Sequence, residues 1–401
     1  MRAKRQVVEG RDGVPETIPV FRRSDGSVGV RNYVAVLSTV ACANEVAARI
    51  AAGISGARPF LHHRGCGQLQ SDLRQVERTL IGLGTNGNVG AVLLVDLGCE
   101  GIQVDRVQAA IQQAGRPIQR VSIQALGGSR RAIRVGRDAC RALASVSRRG
   151  RREPMPRNQL LIGIKCGASD NTSGVAANPA VGQMVDALVD GGATVIVGET
   201  TEFLGAEHLL MRRAATPAAA RAIRRITSAM QERALAAGGD MLGGQPSLGN
   251  IQGGITTIEE KSLGAVSKAG TREIRGVLEY GERPPGPGLY LMDGPGFEPQ
   301  ALTGLAAAGA QVLVFSTGRG APQGFPLAPV VKVSGNRTTC RHLRGHIDVD
   351  VSDVLTCGKD LKAAGQRVLA SVVAAAAGAI TRGERTGYDL TADIYTRGPF
   401  L

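Results

Sequence analysis

The run AVLLVDLG, residues 91–98, is apolar at every position from Ala91 to Val95 and closes on Asp96 and Gly98. A strand that reads apolar on both faces is buried on both faces, the pattern of a parallel sheet covered by helices. Its neighbours agree. Upstream, YVAVLSTV (33–40) is a second such run, and NEVAARIAAG (44–53) and QSDLRQVERTLIGLG (70–84) between them carry apolar residues at helical spacing; VDRVQAAIQQAG (104–115) follows. Short β-branched runs alternating with amphipathic helices predict crossover units and a parallel sheet.

The same rhythm returns later. QLLIGIK (159–165), ATVIVGE (193–199), GLYLMD (288–293), QVLVFSTG (311–318) and PVVKVSG (329–335) read as strands, with AVGQMVDALVDGG (180–192) and residues 218–239 as helices. The predicted class is α/β: two α/β domains with mainly parallel sheets in Rossmann-like layers. A charged, aperiodic tail or linker covers 1–20, the first domain 21–148, a linker 149–158 within the basic, Pro-containing SRRGRREPMPRN (147–158), and a second, catalytic domain 159–401.

The chain has 401 residues, enough for two cores. Its 55 glycines cluster in short turns such as GNIQGG and TGRGAPQG, which points to tight backbone turns rather than disorder. The formal net charge of +14 calls for an anionic partner. Arginines spread along the chain, 3% aromatics and no Trp count against nucleic acid and favour a small acidic substrate or an acidic subunit. Seven cysteines and no secretory signal pattern predict reduced thiols and a cytoplasmic protein. The longest apolar run, 368–380, is too short to span a membrane and reads as a core helix.

Polar residues gather where the runs end: GCE (98–100), KCGASDNTSG (165–174), ETTEFLGAE (199–207), STGRG (316–320) and SGN (334–336). In open α/β sheets, ligands bind in the crevice beyond the carboxyl ends of the strands. Cys66 in HHRGCGQ (62–68), Cys99 in LGCEG and Cys166 in KCGASD each sit beside glycine, without the close pairing of a zinc ribbon. Buried structural thiols and a distributed metal site both fit, while Cys140, inside a helix, is structural. His62 or His63 beside Cys66 suits iron or zinc, with only one of the two facing a site. Glu199, Glu202 and Glu207, like Glu259 and Glu260 beside Lys261, are either acidic first turns of helices or metal and acid–base groups. Arg319 can grip a carboxylate.

In order, RSDGSVGVRNYV, HHRGCG, GNVGAVLLVDLGCE, KCGASDNTSGVAANPAVG, ETTEFLGAE, GNIQGGITTIEEKSLGAVSKAG, FSTGRG and KVSGN resemble the large catalytic region of the altronate and galactarate dehydratase family, from about residue 20 to about 390. The resemblance implies a metal-dependent hydro-lyase that converts a sugar acid to a 2-keto-3-deoxy acid by C2 proton abstraction and loss of the C3 hydroxyl. It implies Fe2+ or another divalent metal, with an iron–sulfur cluster as a variant. Expected metal ligands are His62, Cys66, Cys99 and Cys166; expected catalytic residues are Glu199, Glu202, Lys261 and Asp170; expected substrate contacts are Arg319, Asn336, Lys165 and Ser169. The related sulfolactate sulfo-lyase large subunits are the nearest alternative, and a non-catalytic binding subunit of the same fold is a third. Where single-chain members carry a small β-rich domain, about 20 residues precede the matching region here, which predicts either a separate small subunit or an enzyme that works without one. Near the C-terminus, GHIDVDVSD (345–353) puts His346 and Asp350 in a run that is usually acidic in the family. A homo-oligomer with no nucleic-acid or membrane partner is expected.

Overall fold

A computed structural model describes Gly10, residues 13–239, Met241 and residues 245–401. Most of the expected tail, residues 1–9, 11 and 12, lies outside the described residues.

AVLLVDLG forms the strand Val89–Asp96, fully buried over Ala91–Asp96, at the centre of a four-stranded parallel sheet. The order is Ala57–Phe60, Tyr33–Ser38, Val89–Asp96, Ile118–Ser122. A seven-stranded sheet holds the second half, in the order Ile274–Leu278, Gly288–Met292, Thr194–Val197, Leu161–Gly167, Val312–Thr317, Val330–Ser334, Val349–Asp350. All its pairings are parallel. The α/β class with parallel sheets is therefore present as read. Fully burying each Val, Leu or Ile of these runs contributes about 1.5–3 kcal/mol, so the runs occupy the sheet centres and the charged segments do not.

Two segments expected to lie outside the cores supply strands. Thr17–Arg22 pairs antiparallel with Arg152–Pro156 and, at its far end, with Val28–Gly29. The polar residues hide an alternation: Ile18, Val20 and Met155 are buried while their neighbours Thr17, Pro19 and Pro154 are exposed, the period of two of a half-buried strand. Pro154 and Pro156 are tolerated because Arg152–Pro156 is an edge strand.

The two parallel sheets share one apolar layer, in which Leu37, Phe60 and Leu94 join Leu305, Phe315 and Val330. Helices Gln70–Gly84 and Glu298–Ala307 meet inside it. A side chain at Gly82 would put its Cβ 2.3 Å from the Ala307 carbonyl oxygen, so the close crossing requires glycine there. The run at 368–380 lies largely in the helix Leu361–Ala376, whose Val368, Leu369, Val372 and Val373 are buried. Among the described residues no helix is long and apolar enough to cross a membrane.

Candidate active site

The central strands of the larger sheet end side by side. Leu161–Gly167 carries Lys165 and Cys166 at its carboxyl end, and beside it Thr194–Val197 runs into Glu199 and the short turn Thr200–Glu202. Glu199 takes a left-handed backbone, φ 79°, and Ala168 on the adjoining loop has φ 46°. Non-glycine residues held there cost of order 1–3 kcal/mol and persist where the surroundings over-determine them. Here the backbone N–H of Cys166 donates to Glu199 Oε2 at 2.7 Å, and Thr200 is tied to Gly294 and Asp293.

Around Cys166 four charged side chains are buried together. Lys165 Nζ is 3.1 Å from Glu199 Oε1. Lys268 Nζ is 3.1 Å from Glu199 Oε2, 2.8 Å from Glu202 Oε2 and 3.0 Å from Cys166 Sγ. The Cys166 thiol donates to Glu202 Oε2. Lys261 adds a third ammonium, 3.6 Å from Glu202 Oε1, and donates to Gln245 Oε1 and Asn250 Oδ1. Although Lys165 Nζ and Glu199 Oε1 face each other, neither makes a well-directed hydrogen bond, so both keep hydrogen-bonding capacity.

Burial and the neighbouring Glu202 push Glu199 above the usual carboxylate range. Burial acts the same way on Glu202, but Lys268 and Lys261 outweigh it and hold Glu202 down at about 2. Two adjacent carboxylates thus differ, one basic and one firmly ionised, the separation that acid–base chemistry uses. Burial, then Glu202, drives the Cys166 thiol far upward. Burial disfavours the Lys268 charge, but Cys166, Glu199 and Glu202 together keep it protonated.

A cavity of about 560 Å³ adjoins this cluster, lined by Lys261, Ser169, Asp170, Asn178 and Glu259, with exposed Val175 and Leu263 at its rim. A larger cleft of about 770 Å³, lined by Asp72, Arg78, Arg106 and Arg397, touches none of the cluster residues. We take the smaller cavity as the site because it reaches the buried charges through Lys261.

Several expected site residues have other employment. Asp170 accepts from Thr172 Oγ1 and from Ser173 N, and receives Asn336 Nδ2 at 2.7 Å. Asn336 also caps the helix Arg337–His342 through Thr338 N and Thr339 N. Arg319 is exposed and donates to Gly249 O and Gln252 Oε1. Ser169 O accepts from Asn250 Nδ2, and of these four residues Ser169 and Asp170 line the cavity.

The expected ligand set His62, Cys66, Cys99 and Cys166 is not assembled. Cys166, Glu199 and Glu202 are, among the described residues, the one group that could hold a metal by type and spacing. Cys66 and Cys99 are exposed on adjacent turns of the smaller sheet, joined where Gly101 N donates to Gly65 O. His62 is fully buried with both ring nitrogens engaged: Nε2 bonds Ser38 O at 2.8 Å and Nδ1 accepts from Arg64 N at 3.1 Å. Within HHRGCGQ, Gly65, φ 106°, lies against Thr39 O.

Burial holds the His62 imidazole down at about 4, below its ordinary 6.5. In the unfolded chain it takes a proton as pH drops below the ordinary value, while the folded form resists until the lower one. Stability from this group is therefore lost as pH falls through that window, by at most roughly 3 kcal/mol. His62→Gln is expected to flatten that slope; equal pH dependence of the urea midpoint in variant and parent would refute it.

Lys268 was not singled out by sequence reasoning, although one lysine inside the apolar GAVSKAG (264–270) was the signal. A charge in such a run is either exposed or paired.

Two family models match: "D-galactarate dehydratase/Altronate hydrolase, second domain" over residues 20–147 and "D-galactarate/Altronate dehydratase, C-terminal" over residues 157–397. The (2R)-sulfolactate sulfo-lyase subunit beta of Chromohalobacter salexigens is 38% identical over 372 residues, covering 92% of this chain and 94% of that one. Altronate dehydratase of Escherichia coli is 34% identical, over 92% of this chain and 76% of its own. Galactarate dehydratase (L-threo-forming) of the same organism is 30% identical, over 91% and 75%. By name all three relatives are lyases.

Proposed function

Because the chain belongs to the D-galactarate/altronate dehydratase family, we propose that it is a lyase that takes the C2 proton of a sugar acid and expels its C3 hydroxyl, leaving a 2-keto-3-deoxy acid. The observation that carries this reading is the buried pairing of Glu199 with Lys165, both with unspent hydrogen-bonding capacity, beside a cavity that a third cation, Lys261, enters.

The C2 hydrogen of a hydroxy acid is weakly acidic, so its removal needs a strong base and cationic support for the charge that develops on the carboxylate. Glu199, kept basic by burial, takes that proton. The C2–H electron pair first moves into the carboxylate as an enediolate, then forms the C2–C3 double bond as the C3–O bond breaks, and Lys165 gives the departing hydroxyl a proton, releasing water. Lys261 meets the substrate carboxylate at the cavity. The enol product then tautomerises to the 2-keto acid. Fe2+, implied by the family resemblance, enters no step: Lys268 already bridges the three atoms that could hold it.

A second reading, expulsion of sulfite from a 3-sulfo-2-hydroxy acid, is favoured by the extent of the match to the sulfo-lyase subunit. The C2 chemistry is the same and only the leaving group differs. That relative is named as a subunit, and the exposed Val175 and Leu263 at the cavity rim suit cover by a small second subunit. The protein isolated from its natural host, and the chain alone, should therefore be offered aldonates, aldarates and 3-sulfolactate, with 2-keto acids and sulfite measured. Formation of a 2-keto-3-deoxy acid is expected. Sulfite release would replace the dehydratase reading by the second, and no turnover of any substrate would leave a binding subunit.

A further inference from the structure

We propose that the Lys268 ammonium is the resident cation of the Cys166–Glu199–Glu202 group, standing where a divalent ion would sit, so that this group is not a metal centre. The three candidate ligand atoms lie within 4.8 Å of one another, and one nitrogen lies 2.8–3.1 Å from Cys166 Sγ, Glu199 Oε2 and Glu202 Oε2. An ammonium has three N–H donors and no acceptor, so the three contacts use its full capacity. Metal–ligand bonds to sulfur and oxygen run at about 2.0–2.3 Å. The separations here are those of hydrogen bonds.

Three further observations make the ammonium hard to displace. Lys268 is 0% exposed, so a retreating ammonium has no solvent to enter. Its turn, Ser267–Ala269, is pinned against the helix Asn178–Asp190: a Cβ at Gly182 would lie 2.2 Å from Ser267 O, so the two backbones touch. The cluster also already sets three ammoniums, Lys165, Lys261 and Lys268, against the buried carboxylates Glu199 and Glu202 and the part-exposed Glu298, 3.8 Å from Lys165, so the charges present already balance. A divalent ion beside Lys268 would add buried positive charge with no counter-charge.

The inference concerns the occupant of the group and is independent of which acid is the substrate. It is tested by titrating the full chain with Co2+ and reading thiolate-to-cobalt charge-transfer absorption together with metal retained after gel filtration. Wild type and Cys166→Ser are expected to give the same spectrum, without that band. Folded Lys268→Met is expected to gain the band and a stoichiometric ion, both lost in Lys268→Met/Cys166→Ser. A band in wild type that Cys166→Ser abolishes would overturn the proposal, and that comparison stands even where Lys268→Met does not fold. A folded Lys268→Met that gains no ion would overturn it as well. Turnover in the substrate panel reports separately on the proposed reaction.

Discussion

Glu199→Gln is expected to lower turnover by about 10²- to 10⁴-fold while the protein stays folded. Glutamine keeps the size and the oxygen that accepts from Cys166 N. What it cannot do is take a proton. Solvent exchange at C2 gives a sharper readout than rate alone. If Glu199 is the base, Glu199→Gln abolishes incorporation of deuterium from D2O at C2 of the substrate, whereas Lys165→Met, which removes the acid, retains that exchange while product formation falls. Lys261→Met should act mainly on KM. A Glu199→Gln enzyme within about tenfold of wild-type kcat would remove Glu199 from the mechanism, and C2 exchange that survives in it would assign the base to another residue.

Much of this site was legible because strand ends announce themselves. KCGASD and GETTE each follow an apolar run closed by a polar group, and the two strands are sheet neighbours, so Lys165, Cys166, Glu199 and Glu202 converge. The fold was legible for the same reason, since runs such as AVLLVDLG leave few alternatives to a two-sided buried strand. What periodicity does not carry is which sheet a strand joins. Cys66 and Cys99 end strands of the four-stranded sheet and Cys166 ends one of the seven-stranded sheet, and the expected ligand set combined them. Nor does it report hydrogen-bond occupancy: His62 looks like a ligand in HHRGCG until Ser38 O and Arg64 N take its two nitrogens. Lys268 is the converse case, a residue ordinary by type whose place against three acceptors depends on the contact at Gly182.

Asn88→Ala is expected to destabilise the protein by about 4 kcal/mol or more, a large share of an ordinary folding free energy. Asn88, in GTNGNVG (84–90), is fully buried, and all its hydrogen-bonding capacity is used between the two halves of the chain. Its Oδ1 accepts from Val30 N at 2.8 Å and Arg31 N at 3.2 Å, while Nδ2 donates to Gln311 O at 2.9 Å and Leu327 O at 3.0 Å. Alanine leaves four buried backbone groups without that partner, each costing about 1–3 kcal/mol unless water enters. Asn88→Asp is no rescue, because a carboxylate cannot donate to the two carbonyls. The comparison is the urea midpoint of Asn88→Ala against that of Gln113→Ala, on an exposed position of the helix Val104–Gln113. A difference below about 1 kcal/mol would mean that water replaces the amide. Since Lys165 and Cys166 lie on a strand of the seven-stranded sheet and Glu199 directly follows its neighbour, the folded fraction of Asn88→Ala should keep the wild-type KM; a changed KM would show that the joint at Asn88 also sets the geometry around Glu199.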